Sequence, residues 1–187
     1  MAAEPLRLPK TVVLVGLMGA GKSCIGRRLA ARLGVRFVDA DDEIEKAAGC
    51  TIADIFAIYG EAVFRDGERR VIARLLDEPP HVLATGGGAF MDAGVRAKMR
   101  EKAVSVWLRV ELDVLVGRVS RKSEERPLLA GRDAREVLEA MIAERYPVYG
   151  EADIVIDSGR ESPDATVGRV IAALKGHFAA VPQEAAP

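Results

Sequence analysis

The hydrophobic pattern of the chain alternates between short apolar runs and longer segments with helical spacing. The runs with the length and composition of buried strands are 11–15, 35–38, 81–84, 103–108 and 154–156. The segments with helical spacing are 22–33, 43–48, 51–59, 61–76, 92–102, 111–119, 133–146 and 162–178. This alternation predicts a single α/β domain over residues 11–178, with a parallel sheet between layers of helices.

Residues that start and stop helices support these boundaries. Gly34 follows the first helical segment, where a glycine commonly ends a helix. Thr51 and Asp54 have the spacing of a capping box, with the shorter aspartate in place of glutamate. Gly60 interrupts the helical pattern that follows, so we expect a break between two helices at that residue.

Three segments have no periodic pattern. Residues 120–132 are highly charged, carry Arg126, and are predicted to form an exposed, mobile loop. The first ten residues contain two prolines and are expected to be flexible. The tail at 179–187, which is rich in alanine and proline, is expected to be disordered.

Composition narrows the choice of partner and compartment. The 187 residues include 27 Lys and Arg against 28 Asp and Glu, so no basic excess indicates a nucleic acid partner. Cys24 and Cys50 lack the spacing of a metal site and are expected to be reduced thiols. No run of about eighteen apolar residues predicts a membrane span. We therefore expect a protein of the cytoplasm without a nucleic acid or membrane partner, and we expect it to be a monomer.

The segment at 16–23 reads Gly-Leu-Met-Gly-Ala-Gly-Lys-Ser and lies between a predicted strand and a predicted helix. This is the P-loop pattern, in which glycines let backbone N–H groups surround phosphate oxygens at the positive end of a helix. Lys22 would reach the β- and γ-phosphates of ATP, and the Ser23 hydroxyl would ligate Mg²⁺. The loop predicts nucleotide binding and leaves the phosphate acceptor open.

Acidic residues and glycines follow two other predicted strands. Asp39 and Asp41 come after the second strand, and glycines occupy 86–88 after the third. Because ligands bind beyond the carboxyl ends of parallel strands, we expect both groups to share an edge with the P-loop. Asp39 could hold Mg²⁺ through water, and Asp41 could orient or deprotonate an acceptor hydroxyl. An acidic helix start explains the two aspartates equally well at this point.

Several segments, in this order and spacing, resemble those of shikimate kinase: GLMGAGKSCIGRRLA, FVDADDEIE, TIADIFAIYGEAVFRDGE, LATGGG, ERPLL and residues 145–149. The resemblance extends over about residues 10–178 and implies a fold like that of nucleoside monophosphate kinases, with a five-stranded parallel sheet in the order 2-3-1-4-5. It also implies transfer of the ATP γ-phosphate to the 3-hydroxyl of shikimate, in the pathway to chorismate and the aromatic amino acids.

The resemblance implies a set of nucleotide contacts. These are Gly19, Ala20, Gly21, Lys22, Ser23, Cys24, Arg118, Arg126 and Arg160. Arg118 would pack on adenine, and residues 160–163 match the adenine loop. Arg126 would belong to a lid at 120–132 and meet the phosphates on closure. Cys24 departs from the family pattern, which often has threonine there, and we expect a modest effect on nucleotide affinity.

The resemblance assigns the acceptor site as well. Asp41 would bind the shikimate hydroxyls and act as the base, Arg65 and Arg145 would hold the carboxylate, and Gly86, Gly87 and Gly88 would line the same pocket. Ser23 and Asp39 would hold the metal, and Lys22 and Arg126 would join Asp41 in catalysis. Arginine suits this role because its planar fork binds a carboxylate in two places, although most arginines lie on protein surfaces.

Two other functions share parts of this pattern. A gluconate or nucleotide kinase would have the P-loop and the lid, but the acidic pair, Arg65 and the glycine run together favour shikimate. A P-loop switch or ATPase would respond with a conformational change. The sequence contains no guanine-reading Asn-Lys-x-Asp and does contain a lid segment with arginines, and both features favour a kinase.

Overall fold

The computed structural model describes residues 8–120 and 133–180. Its strands are β1 (Thr11–Val15), β2 (Phe37–Asp39), β3 (Val82–Ala84), β4 (Ala103–Arg109) and β5 (Ile154–Asp157). They form one sheet in the order β2-β3-β1-β4-β5, and every neighbouring pair is parallel. The predicted fold class and sheet order are confirmed.

Helices connect the strands, as parallel pairing requires. The helices of the described residues are α1 (Lys22–Leu33), α2 (Ala40–Ala48), α3 (Ile52–Leu76), α4 (Ala93–Lys102), α5 (Leu112–Ser120), α6 (Ala134–Tyr149) and α7 (Pro163–Ala180). A short 3-10 helix at Ala89–Met91 precedes α4. In the central strand β1, Val12, Val13 and Leu14 have no exposed surface, which explains its uninterrupted apolar run.

The second strand and the helix after it begin elsewhere than the pattern predicts. The N–H of Val35 donates to the Ala30 carbonyl at 3.1 Å, so the chain is still completing the end of α1 there. At the other end of β2, the Asp39 side chain accepts a hydrogen bond from the N–H of Asp41 and caps α2. The helix therefore starts at Ala40, three residues before the predicted position.

The predicted break at Gly60 is confirmed as a kink within α3. This glycine has φ 80° and ψ 174°, and the residues on both sides of it are helical. The predicted end of α6 at residue 146 is too early, because the helix continues through Pro147 to Tyr149. Its final turn is held by a bond of 3.0 Å from the N–H of Gly150 to the carbonyl of Tyr146.

The closing helix α7 extends to Ala180, so the first two residues of the expected tail are helical. The rest of that tail, residues 1–7 and residues 121–132 lie outside the described part of the chain. Among the described residues, no single helix has the length and apolar character of a membrane span. Only α2 and α3 taken together satisfy those criteria, and they are bent by 84°.

Candidate active site

The glycine-rich loop leaves β1 and leads directly into α1. Gly19 and Gly21 have φ values of 79° and 94°, a region that residues with a side chain rarely adopt. A Cβ at Gly19 would also lie 2.8 Å from the Val119 side chain. Lys22, the first residue of α1, reaches back and donates to the Gly16 carbonyl at 2.8 Å. The loop therefore has the backbone of a phosphate cradle, with the ammonium group held beside it.

A hydrogen bond joins this loop to the end of β2. The Ser23 hydroxyl donates to Asp39 Oδ2 at 2.7 Å, while Asp39 Oδ1 accepts from the Asp41 N–H at 3.2 Å. Hydroxyl and carboxylate oxygens are the ligand type that Mg²⁺ prefers. In the described chain no cluster of three or more His, Cys, Asp or Glu could hold a metal ion. The pair thus fits an ion whose remaining ligands are water and phosphate oxygens.

Asp41 lies in the first turn of α2 and faces the same region. Burial and, after it, the negative charges of Asp39 and Glu68 together raise the pKa of its carboxyl to about 6, while Lys22 opposes the shift. The carboxylate is therefore a stronger base than an ordinary aspartate and is still largely ionised at neutral pH. Both properties suit a group that accepts a proton from a hydroxyl.

The glycines after β3 lie so close to charged side chains that larger residues would collide with them. A Cβ at Gly86 would lie 3.2 Å from Asp41 Oδ1. A Cβ at Gly87 would lie 3.2 Å from Arg145 Nη1 and 3.4 Å from the carbonyl oxygen of Gly16. The glycine run therefore brings a carboxylate, a guanidinium and the P-loop together within three residues.

The third glycine of the run contacts the other predicted guanidinium. A Cβ at Gly88 would lie 2.5 Å from Arg65 Nη1. Arg65 donates to Glu68 Oε2 at 2.8 Å and to Glu61 Oε1 at 3.3 Å. Burial raises the pKa of Glu68, and the charge of Arg65 opposes that shift.

Two buried polar atoms at this position have no hydrogen-bond partner among the described residues. They are Arg145 Nε and Glu68 Oε1. Buried polar groups are normally paired, and both residues line one cavity, where a ligand could supply the missing partners. An anion would satisfy Arg145, and a hydroxyl or water would satisfy Glu68.

These groups line a single cavity of about 670 Å³. The predicted site residues along its wall are Gly19, Gly21, Lys22, Ser23, Cys24, Asp39, Asp41, Arg65, Gly86, Gly87, Gly88, Arg118 and Arg145. The structure thus unites the predicted metal and acceptor residues of the described chain, together with the predicted phosphate residues other than Ala20. The alternative view of Asp39 as only a helix cap is incomplete, since the same carboxylate also binds Ser23.

Among the described residues, Ala20 and Arg160 are predicted nucleotide contacts that are not on this wall. The Ala20 side chain is 1% exposed and lies in the core, although its carbonyl accepts a bond from Arg118. Arg160 lines a separate cavity of about 570 Å³ with Arg109 and Asp157. Arg126 lies outside the described residues.

Arg118 connects the P-loop to the segment after β5. Its Nη1 donates to the Gly19 carbonyl at 3.2 Å, and its Nη2 donates to the Gly159 carbonyl at 2.6 Å. The guanidinium is therefore fixed at the open side of the nucleotide loop. This placement is compatible with a contact to the base of a nucleotide, and the adenine role of Arg118 stays a prediction.

Sequence reasoning missed several residues of the cavity wall. Glu68 was not among the predicted site residues, yet it is 3% exposed. Its signal was the spacing of three residues from Arg65, which places both on one helical face. Phe56 and Phe64 also line the cavity, with ring centroids 4.6 Å apart. Aromatic residues on a helix predict core packing as readily as a binding wall, so the sequence offered no way to distinguish the two.

Comparison with known proteins identifies close relatives. A family model described as shikimate kinase matches residues 18–175. A shikimate kinase of Paramagnetospirillum magneticum is 56% identical over 168 residues, which cover 90% of this chain and 86% of that protein. A shikimate kinase of Caulobacter vibrioides is 57% identical over 171 residues, which cover 91% of this chain and 84% of that protein.

A solved structure gives the same result in three dimensions. Shikimate kinase from Acinetobacter baumannii, in complex with shikimate, matches with a TM-score of 0.85 and 34% identity. The match covers 89% of this chain and 93% of that one. The agreement therefore extends over nearly the whole of both folds.

Proposed function

The chain belongs to the shikimate kinase family, and we propose that it transfers the γ-phosphate of ATP to the 3-hydroxyl of shikimate. The observation that carries this proposal is the order of contacts along the glycine run. Gly86 lies against Asp41, and Gly88 lies against Arg65. A residue spans at most about 3.6 Å of chain, so the two ends lie within about 7 Å of each other and one small molecule can contact both groups.

The guanidinium end of the run suits the carboxylate of the acceptor. Arg65 and Arg145 both line the cavity, and the buried Nε of Arg145 has no hydrogen-bond partner among the described residues, only an ion-pair contact of 3.9 Å with Glu144. A carboxylate would accept charge-assisted hydrogen bonds from these forks. Gluconate also carries a carboxylate, so this contact alone does not exclude it, and the family membership favours shikimate.

The carboxylate end suits the reacting hydroxyl. Asp41, whose pKa is raised to about 6, would accept the hydroxyl proton as the oxygen attacks the γ-phosphate. Gly87 lies between this end and the P-loop, close to the Gly16 carbonyl. An acceptor bound along the run would therefore be held beside the phosphate that Lys22 and the loop N–H groups bind.

We propose the remaining ligand contacts on the same basis. Ser23 and Asp39 would hold Mg²⁺, which when bound offsets phosphate charge and orients the β- and γ-oxygens. Arg118 and Arg160 are proposed as adenine contacts, and Cys24 as a contact of the nucleotide phosphates. Arg126 in the lid would meet the phosphates on closure.

The setting of the reaction is proposed as well. We place the protein in the cytoplasm as a monomer, in the pathway to chorismate and the aromatic amino acids. The free thiols of Cys24 and Cys50 are compatible with a reducing compartment.

A coupled assay of ADP release tests the proposal. ATP alone is expected to react slowly, and shikimate should stimulate turnover strongly, because water must be kept from the γ-phosphate until the acceptor binds. Gluconate and nucleoside monophosphates, tested separately, should give no stimulation. Equal turnover with and without shikimate would contradict the proposal and favour an ATPase, while stimulation by gluconate would reassign the acceptor.

A further inference from the structure

Tyr149 lies at the end of α6, one helical turn after Arg145, and has no exposed surface. Its hydroxyl donates a hydrogen bond to the carbonyl of Gly87. A Cβ at Gly87 would lie 3.2 Å from Arg145 Nη1 and 3.6 Å from this hydroxyl oxygen. The phenol and one of the two guanidinium groups thus meet at the middle glycine of the acceptor run.

The surroundings of Tyr149 leave its ring little freedom. The ring centroid lies 5.8 Å from that of Trp107 in β4 and 6.2 Å from that of Phe90 in the 3-10 helix after the glycine run. Both contacts are edge to face, a preferred arrangement for aromatic pairs. Trp107 in turn pairs with Val15, the last residue of the strand before the P-loop. The phenol is therefore positioned by the sheet that also positions the P-loop.

The bond to Gly87 fixes the orientation of a peptide group in the cavity wall. In a trans peptide the carbonyl and the following N–H point in opposite directions, and the described chain contains no cis peptide. With the Gly87 carbonyl turned to Tyr149, the N–H of Gly88 points away from it. Gly88 lines the cavity, and its N–H has no backbone partner among the described residues.

We propose that Tyr149 is a positioning residue of the acceptor site, whose hydroxyl holds the Gly87 peptide and the Arg145 guanidinium in the arrangement that binds the acceptor carboxylate. The proposal rests on the proposed function, because it assigns the carboxylate to that end of the cavity. Tyr149 itself would touch no reacting atom. Burial raises the pKa of the phenol to about 12, so the hydroxyl remains a donor throughout the neutral range.

The chain supplies a matched control on the same helix. Tyr146 also donates its hydroxyl to a backbone carbonyl, that of Val110, at 2.5 Å. Its ring lies 4.8 Å from Trp107, again edge to face. Replacing either tyrosine with phenylalanine removes one oxygen and one hydrogen bond to a carbonyl. Only Tyr149 is bonded to the glycine run.

The experiment compares Tyr149→Phe and Tyr146→Phe by steady-state kinetics, shikimate titration calorimetry without nucleotide, and thermal unfolding. Tyr149→Phe should raise the shikimate KM and Kd by about five- to fiftyfold, because the Gly87 peptide and the Arg145 guanidinium would no longer be held in the binding arrangement. The ATP KM should change by no more than about twofold. Tyr146→Phe should lower the melting temperature by about as much as Tyr149→Phe does. It should leave the shikimate KM and Kd within about twofold of the wild-type values.

A shikimate KM that is equally affected by both substitutions would overturn the proposal, since any loss of packing would then explain it. An equal rise of both substrate constants in Tyr149→Phe would overturn it too. Failure of the proposed function is a separate outcome, because it would show in the unmodified protein as absence of shikimate-dependent ADP release. In that case the calorimetric Kd still decides whether Tyr149 organises a carboxylate site.

Discussion

Arg65 Nη1 lies 2.8 Å from Glu68 Oε2, one turn further along α3, and the second oxygen of that glutamate has no partner among the described residues. The glutamate is 3% exposed, so its charge is compensated mainly through this contact. The pair fixes the direction of the guanidinium fork before any ligand binds. Such preorganisation reduces the entropy that is lost when a substrate is held.

The first prediction concerns this fork. Arg65→Lys keeps the charge but loses the planar pair of donors, so shikimate affinity should weaken by roughly ten- to a hundredfold, as for one charge-assisted hydrogen bond. The ATP KM should hardly change. Arg69→Lys is the control, because Arg69 is on the same helix, pairs with Asp66 and Asp92, and is absent from the wall of the main cavity. If Arg65→Lys weakened the binding of shikimate and of ATP equally, the result would favour a structural role for Arg65.

The second prediction concerns the glycine that contacts the fork. The added Cβ of Gly88→Ala would lie 2.5 Å from Arg65 Nη1, so the flexible end of the arginine must move while the backbone can stay. The fold should survive, and the shikimate KM should rise at least about tenfold, because the fork would be displaced from its bound position. Kinetics and thermal unfolding measure both effects.

Gly67→Ala is the matched control for that substitution. Gly67 lies in the interior of α3, and a Cβ there would have no neighbour within 4 Å. Alanine should stabilise the helix by up to about 1 kcal/mol and leave both KM values unchanged. An unchanged shikimate KM in Gly88→Ala would show that the acceptor does not depend on the position of Arg65.

The sequence predicted the parts of this molecule that depend on local chemistry. Glycines that require positive φ, as at Gly19 and Gly60, and the capping pair Thr51 and Asp54 act within a few residues, so their signals can be read directly. The sheet order came from the family resemblance, since strand spacing alone does not determine which strands are neighbours.

Features that depend on tertiary contacts were harder to predict. Glu68 differs from a surface glutamate only because Arg65 and the glycine run cover it. The helix predicted at 133–146 does not include Tyr149, and Pro147 lies between them, where a proline inside a helix usually ends it. The packing of Tyr149 against Trp107 and Phe90 outweighs that local preference. Neither residue carries a local signal for its burial.

The third prediction concerns the pH dependence of turnover. Asp41 can accept a proton only when ionised, and its pKa is raised to about 6. At saturating ATP, kcat/KM for shikimate should therefore be constant above about pH 7 and should fall about tenfold per pH unit well below 6. Asp41→Asn should lower kcat by roughly two to four orders of magnitude and abolish this acid limb. An acid limb that persists in the variant would assign the titration to another group.

The last prediction concerns stability. The ionised Asp41 carboxylate supports turnover, but it should make the folded protein less stable. An aspartate in the unfolded chain titrates near 3.8, whereas folding raises the pKa of Asp41 to about 6. Between these values the folded protein binds more protons than the unfolded chain, so this group makes the free energy of unfolding fall as pH rises, and above about pH 6 the full destabilisation remains. The site thus holds a buried negative charge at neutral pH at the expense of stability.

Asp41→Asn removes that charge and should raise the melting temperature at pH 8 by roughly 2–4 °C, the shift that about 1 kcal/mol produces in a chain of this size. The gain should shrink below about pH 6 and disappear near pH 4, because the wild-type carboxyl is then neutral as well. Asp42→Asn is the control, since Asp42 is the exposed neighbour in the same first turn of α2. At Asp42 the N-terminal end of α2 favours a negative charge, so loss of that charge should lower the stability of the protein slightly. A gain for Asp41→Asn that is equal at pH 4 and pH 8 would mean that side-chain shape, and not the buried charge, determines the effect.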